Sequence, residues 1–504
     1  MELNFDCAVL TAAQIHAADA RAAQMGIRPY ELMQEAGNAL ATAILQRFPQ
    51  SRALIICGPG NNGGDGFVLA CALQQRGWDI EVASADGRRP RHPPACEHAS
   101  RWREPLLSFG QLCAQSGPPD HDVIIDAGFG VGLDRPLSAQ WQNMIDYINA
   151  ADQPVIAIDL PTGIADTGQL LCSRPVRAEL TLTLFKKKLA HLFMPARSFC
   201  GEVQVCDIGL SAEMLAGERF YFENTPTLWQ HYWQQTRPGH QDHKYRRGHV
   251  LVVGGTLLPG AAALSAFGAA YSGAGLVSLL CESQSWAVYA AQMRSIMVRC
   301  VDTLADFQSW VSGSKTNGVV LGPGALDMPQ LPAYLEVLLE RKKPCVLDAE
   351  ALNIMAKRAD HFLPKLHKQC ILTPHAGEFE RLFGPLCEHN GRSIAQRVRE
   401  AAQRCGAVVL LKGAQTLIAD PTGSVVINTE ASPYLATAGS GDVLAGVIAT
   451  FLAQEVPPLL AAAMAVWLHG HAGKLAGPGL IADDLPRLLV DAQHSLVQQL
   501  AGQH

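Results

Sequence analysis

Short, continuous apolar runs recur along this chain, and each gives way to a glycine turn and then a helical stretch. In the first half they are Ala53–Cys57, Asp122–Asp126, Pro154–Asp159 and Leu180–Phe185. In the second half they are Val250–Val253, Leu276–Leu280, Gly318–Leu321, Cys345–Asp348, Cys370–Thr373 and Val408–Leu411. A strand that is apolar along its whole length has to be covered on both faces, which happens in parallel sheets flanked by helices. The fold class that follows is α/β. The rhythm breaks between Glu218 and Tyr245, where the sequence turns aromatic and polar, and a fresh strand follows His240-Gln241-Asp242-His243-Lys244. We therefore expect a domain at 1–217, a linker at 218–243 and a second domain at 244–504; 504 residues suffice for both.

Composition removes several classes of function. With 48% hydrophobic and 17% charged residues the chain can fill packed cores. Its net charge of -6 offers no basic surplus for a phosphate backbone, so no nucleic-acid partner is expected. The cysteines form no CxxC pair, the closest two being Cys200 and Cys206, which suits reduced thiols in a cytoplasmic protein. The N-terminal MELNFDCAVL lacks a basic segment followed by an apolar core, so it does not read as a signal peptide. Residues 250–281 carry no charge, a length that could span a bilayer, yet Gly254, Gly255, Pro259, Gly260, Gly268, Gly273 and Gly275 interrupt them. Turns inside lipid would strand backbone polar groups, so a buried strand–turn–helix–strand is expected and no membrane contact.

In the first half, Ile55-Ile56-Cys57 runs into Gly58-Pro59-Gly60-Asn61-Asn62-Gly63-Gly64-Asp65-Gly66, with a helix expected over Phe67–Gln75. Glycines between a strand and a helix N-terminus let backbone amides approach an anion. Two more strand ends carry Asp126-Ala127-Gly128-Phe129-Gly130-Val131-Gly132-Leu133-Asp134-Arg135-Pro136-Leu137-Ser138 and Asp159-Leu160-Pro161-Thr162-Gly163. The carboxyl ends of parallel strands are where open α/β sheets bind ligands. An Asp there is more often a helix cap when it stands alone.

These strings, GNNGGDG, DAGFGVGLDRPLS and DLPTG, in this order, resemble the NAD(P)H-hydrate epimerase family over about residues 8–212. The resemblance implies a Rossmann-like three-layer domain. It implies substrate contacts at Asn61, Asn62, Gly63, Gly64, Asp65, Gly130, Val131, Gly132, Leu133, Asp134, Arg135, Pro136 and Asp159. It implies a potassium ion held by Asn62, Asp126 and Thr162, an oxygen set suited to a hard cation. Its catalytic acidic residue matches Asp159. Its catalytic lysine falls among Lys186, Lys187 and Lys188, and the family's spacing selects Lys188. The chain departs from the family at Val131, where Thr is common, and at Ala139, where Gly is common.

In the second half Ala438-Gly439-Ser440-Gly441-Asp442-Val443 opens a helix running to Ala453. Amides of Gly439, Ser440 and Gly441 at a helix N-terminus form an anion hole, and Asp442 beside it is a candidate base. With Pro259-Gly260-Ala261-Ala262, Leu321-Gly322-Pro323-Gly324, Leu347-Asp348-Ala349-Glu350, Thr373-Pro374-His375-Ala376-Gly377-Glu378 and Leu411-Lys412-Gly413-Ala414-Gln415-Thr416, the segment resembles the ADP/ATP-dependent NAD(P)H-hydrate dehydratases over about residues 244–492. That implies a C-terminal ribokinase-like α/β domain. Substrate contacts are then expected at Ala261, Gly324, His375 and Asp442, with Asp442 catalytic. Nucleotide contacts are expected at Lys412, Gly413, Ala414, Gln415, Thr416, Gly439, Ser440 and Gly441. Asp348 and Glu378 are candidates to hold Mg²⁺ through water. His469 and His471, two apart on a helix, diverge and read as structural.

Joined in this order, the halves resemble bifunctional NAD(P)H-hydrate repair enzymes. The resemblance implies K⁺ in one site, Mg²⁺ with ADP or ATP in the other, hydrated NADH and NADPH as substrates, and a homo-oligomer. The alternative is a ribokinase-like vitamin-precursor kinase with a non-catalytic N-terminal binding module, since such kinases share the GSGD string.

Overall fold

The computed structural model describes residues 3–114, 120–215, 220–313, 316–326, 328–384 and 392–502. The chain divides into two compact units, Ala8–Glu218 and Met1–Cys7 together with Arg219–His504.

The first unit is built on a seven-stranded sheet in the order Leu106–Ser108, Asp79–Ser84, Arg52–Cys57, Val123–Ala127, Val155–Ile158, Leu180–Leu184, Glu202–Cys206. Every neighbouring pair is parallel. Side chains alternate between its two faces. Ala53, Ile55 and Cys57 join Leu40, Ile44, Phe67 and Leu73 in one core, while Leu54 and Ile56 join Phe109, Trp141, Met144 and Ile148 in another. Helices on both faces give the three layers expected, and they explain why these strands are apolar throughout. The order of strands reverses between Arg52–Cys57 and Val123–Ala127, so the turns after these two strands face each other across a crevice.

In the second unit the strands Met297–Cys300, Leu276–Cys281, His249–Val253, Gly318–Leu321, Cys345–Leu347, Cys370–Leu372 and Val408–Leu411 lie side by side, all parallel. Leu417–Ala419 and Val425–Ile427 extend the sheet antiparallel. Here the order reverses between His249–Val253 and Gly318–Leu321. Helix Ser440–Ala453 lies against helix Pro259–Tyr271 so closely that a Cβ on Gly446 would come 1.9 Å from the Ser265 carbonyl oxygen. The uncharged stretch 250–281 is a strand, this helix and a second strand, as its glycines required. Among the described residues no helix is long and apolar enough to cross a membrane.

The segment expected to be a linker has a place in this fold. Tyr221–Glu223 pairs parallel with Val425–Ile427, and helix Pro226–Thr236 follows it. Four of the aromatic residues that broke the sequence rhythm, Tyr221, Phe222, Trp229 and Trp233, are core residues. Trp229 is wholly buried, its Nε1 donates to Asn224 Oδ1 at 3.0 Å, and its ring meets Trp467 edge-on. Asn224 in turn donates to Asn428 Oδ1 and to the Ala463 carbonyl, each at 2.8 Å. The opening residues join the same unit, with Phe5 edge-on to Phe220 and the Cys7 thiol 3.3 Å from the Thr225 hydroxyl. Trp229→Ala should therefore destabilise the second unit by about 3–5 kcal/mol, as truncating a buried Trp does. Chemical denaturation followed through that unit's transition checks this, and a loss under about 1 kcal/mol would mean that the segment is only loosely attached.

Candidate active sites

In the first unit the backbone turns come together before any side chain does. Gly58 N–H donates to the Ala127 carbonyl at 3.0 Å, and a Cβ on Gly58 would stand 1.7 Å from the Gly128 carbonyl oxygen. The helix begins at Asn61 and runs to Gln74, earlier than the expected Phe67, so most of the glycine string is the helix's first turns and not a loop. Gly63 and Gly64 are there for packing. A Cβ on the first would lie 2.0 Å from the Gly58 carbonyl, and on the second 2.7 Å from Met33 Sδ. The short glycine side presses the helix onto the strand end, and Asn61, Asn62 and Asp65 then point into the crevice.

Asp126 closes the neighbouring strand. Its Oδ1 accepts from the Thr162 hydroxyl at 2.6 Å and from Gly128 N–H at 3.0 Å, and its Oδ2 accepts from Thr162 N–H at 2.7 Å. The carboxyl is completely buried, and burial pushes it up to about 6 in spite of these donors. Two members of the expected cation set, Asp126 and Thr162, are thus in direct contact. Asn62 lies at the crevice wall, where its Oδ1 and Asp159 Oδ2 both fall within 3.2 Å of one point beside Gly130.

Asp159 ends the next strand with φ 66°, a left-handed backbone that an aspartate seldom adopts. The twist turns its carboxylate into the crevice, where Lys188 Nζ donates to its Oδ1. Lys188 is 1% exposed, and its Nζ also donates to Thr183 Oγ1 at 2.8 Å and to the Leu184 carbonyl at 2.9 Å. Burial pushes Asp159 up, and the Lys188 ammonium with its hydrogen bonds outweighs burial, so the carboxyl sits below its ordinary value. Of the three consecutive lysines, Lys188 is the one buried in this pair, while Lys186 and Lys187 are half-buried.

Asp159 and Lys188 open on a cavity of about 650 Å³, whose lining does not include Asp126 or Thr162. Asn61, Asn62, Asp65, Gly130, Val131, Gly132, Asp159 and Lys188 are all on its walls. Asp134, Arg135 and Pro136 are exposed residues outside that lining, and Leu133 is buried. Two contributors were not foreseen. The helix Ala12–Gln24 supplies Ile15, His16 and Asp19 to the cavity. His191 takes Lys188 N–H on Nδ1 at 2.9 Å, so its Nε2 carries the proton that it gives to the Asp159 carbonyl at 2.8 Å. Burial pushes this imidazole down to about 3, which keeps it neutral. Its only sequence signal is a position three residues after Lys188.

In the second unit the expected residues also converge. A Cβ on Gly324 would meet the Leu258 carbonyl at 2.4 Å and Ala261 Cβ at 3.4 Å, so these two predicted contacts adjoin at the reversal of strand order. Lys412, after its strand, donates from Nζ to Asp348 Oδ1 at 2.8 Å, and its Nζ is 3.4 Å from the Cβ position of Gly441. Gly439, at φ 90°, is the residue before helix Ser440–Ala453. Asp442 lies in the first turn, and burial, with Asp348 adding to it against Lys412, pushes its carboxyl up to about 6. His375 pairs with Lys412 through their backbones in a parallel β-bridge, and its side chain is over half exposed. Gly413, Ala414, Gln415 and Thr416 connect two paired strands. Glu378 accepts from His375 N–H at 2.9 Å, which makes it a helix cap. His469 Nε2 lies 2.9 Å from the Ser440 carbonyl and His471 pairs with Glu430, both as structural partners.

Comparison with known proteins agrees with this division. The family model for the YjeF-related protein N-terminus matches residues 29–190, and that for NAD(P)H-hydrate dehydratase matches residues 250–492. Among solved structures, the ribokinase-like superfamily protein of Enterococcus faecalis is 24% identical, with a TM-score of 0.48 over 56% of this chain and 97% of its own. The ADP/ATP-dependent NAD(P)H-hydrate dehydratase of Bacillus subtilis, co-crystallised with ATP/Mg²⁺, is 26% identical, with a TM-score of 0.45 over 53% and 97%. The bifunctional NAD(P)H-hydrate repair enzyme of Synechocystis is 34% identical over 97% of this chain and 93% of its own length. That of Coxiella burnetii is 33% identical over 95% of this chain and 98% of its own. With both units matched in order and nearly full length, the chain belongs to the family of bifunctional NAD(P)H-hydrate repair enzymes.

Proposed function

We propose that the first unit interconverts the R and S epimers of hydrated NADH and NADPH, and that the second dehydrates the S epimer to the reduced cofactor at the expense of ADP or ATP. The observation that carries this is the pairing, in one chain, of a buried Asp159–Lys188 couple opening on a cavity with a glycine-bounded helix start that presents Asp442. A vitamin-precursor kinase with an inert N-terminal module does not account for a near full-length match to the bifunctional enzymes. Mixed hydrates incubated with and without ADP test the proposal. Epimer equilibration needs no nucleotide, and reduced-nicotinamide absorbance returns only with it.

In the second unit the amides of Gly439, Ser440 and Gly441 and the Lys412 ammonium would receive the transferring phosphoryl group, with Lys412–Thr416 alongside the nucleotide. Asp442 takes the proton of the ring hydroxyl as its oxygen attacks phosphorus. The phosphate ester then leaves as inorganic phosphate, where hydroxide would leave poorly. Asp348 fits Mg²⁺ coordination through water, because Oδ1 is held by Lys412 and Ala349 N–H, which leaves Oδ2 free of donors among the described residues. Bound with the nucleotide, Mg²⁺ would neutralise phosphate oxygens. Glu378, occupied as a cap, is the weaker of the two candidates.

In the first unit potassium suits Asp126 for a physical reason. The buried carboxylate has only neutral donors around it, and a buried charge needs either a proton or a counter-ion. Asn62 and Thr162 would complete the set, with the ion neutralising Asp126 and fixing the two turns against the substrate.

Four outcomes follow. Epimerisation should depend on potassium and be lost in Asp126→Ala; an equal rate in sodium-only buffer removes the ion from the reading. Lys188→Ala should abolish epimerisation while Lys186→Ala leaves most of it, measured by separating the epimers; the opposite result would move the function to Lys186. Asp442→Asn should lower dehydration by about 10²–10⁴ and leave epimerisation intact. Because Asp442 must be unprotonated to accept a proton, kcat/KM for dehydration should fall as pH drops through about 6. A near-normal rate in Asp442→Asn, read from absorbance, removes this base.

A further inference from the structure

We propose that Asp65 is the proton donor of the epimerisation, delivering its proton to the 6-hydroxyl of the nicotinamide ring so that the C6–O bond breaks. The inference rests on the epimerase reading of the first unit and assigns it a route. Asp65 lies three residues after Asn62 on the helix Asn61–Gln74, hence on the same face, and both line the cavity into which Asp159 and Lys188 point. It is 7% exposed. Among the described residues nothing donates a hydrogen bond to its carboxyl, whereas Asp126 accepts three and Asp159 is held by Lys188 and Thr183. A carboxyl kept in the interior without a protein partner costs stability, and a ligand that bonds to it is the ordinary reason for its presence.

Of the other titratable groups at this site, His16 and Asp19 on the helix Ala12–Gln24 line the cavity but are exposed to solvent, and the buried ones are committed. The three N–H donors of Lys188 go to Asp159, Thr183 and the Leu184 carbonyl. Asp159 is held ionised by that lysine. His191 is neutral, with both nitrogens engaged. Asp65, by contrast, is raised well above its ordinary value by burial and by the Asp159 and Asp19 carboxylates, which favours the form that can donate a proton. Hydroxide leaves poorly, and a neutral acid beside it supplies what departure requires.

The step balances within the substrate and water. Asp65 gives its proton to the 6-hydroxyl oxygen. As C6–O breaks, the ring-nitrogen lone pair forms a bond to C6, and water departs. The ring is then a cation facing the Asp159 carboxylate. A water adds to the opposite face of C6 and gives up a proton to Asp159, and the cycle closes when that proton returns to Asp65. No oxidant or reductant is needed.

The test uses the full chain and separated epimers, with wild type and Asp65→Asn, a variant that keeps size and hydrogen bonding but carries no acid proton. Epimerisation kcat should fall about 10²–10⁴-fold with KM little changed. An unchanged KM for epimerisation and an unchanged unfolding transition of the first unit report that this unit is folded, and dehydration of the S epimer does so for the other unit. In ¹⁸O-water each wild-type turnover should place one solvent oxygen at C6, because the C–O bond breaks, whereas opening of the ring at C6–N1 breaks no C–O bond and takes up solvent oxygen only through hydration of the aldehyde it forms, at less than one oxygen per turnover. A kcat near wild type in Asp65→Asn, a loss confined to KM, or uptake of less than one solvent oxygen per turnover would overturn the proposal. A wild-type chain that does not epimerise at all would instead overturn the reading of the first unit.

Discussion

Backbone meeting backbone is the contact on which the first site depends. Gly58 and the Gly128 carbonyl lie where no side chain could be admitted, and the Gly58 N–H to Ala127 carbonyl bond ties the two turns across the reversal of strand order. Parallel strands buried on both faces can expose their backbone only at their ends, so the ends are where chemistry can be placed. The second unit solves the same problem with Gly324 against the Leu258 carbonyl. In both, glycine is required by distance, and the polar side chains around it are carried into position by a scaffold that cannot easily shift.

Much of this was legible in the sequence, and the limits have physical causes. The interior strands were found because they are apolar at every position. Asp79–Ser84, Leu106–Ser108, Glu202–Cys206 and Met297–Cys300 were not, because strands near or at the edge of a sheet alternate with polar residues or are short. The segment around Trp229 was misread because its core residues are aromatic among polar neighbours, a pattern without the strand–helix rhythm. The helix that starts at Asn61 is expected from sequence only at Phe67 because glycine is a poor helix former, and tertiary packing against Gly58 and Met33 overrides that preference.

The site divides in the same way. Asp126, Asp159, Thr162 and Asp442 stand at strand ends or helix starts, where local sequence marks them. Lys188 could be chosen only by family spacing, and burial separates it from its two neighbours. His191 and Asp19 carry no local mark, since what gives them a role is the approach of elements distant in the chain.

The left-handed backbone of Asp159 has a consequence for how such a chain could decay. A non-glycine residue there carries about 1–3 kcal/mol of strain, and its buried charge is tolerated only with Lys188 beside it. Losing either partner alone leaves the other buried and unpaired, which is worse than keeping both. Losing both at once, with glycine at 159 and an apolar side chain at 188, removes strain and desolvation together. Relaxed selection would thus erase the pair as a unit, so a descendant that had ceased to be an enzyme would be marked by a coupled double replacement and a sturdier fold.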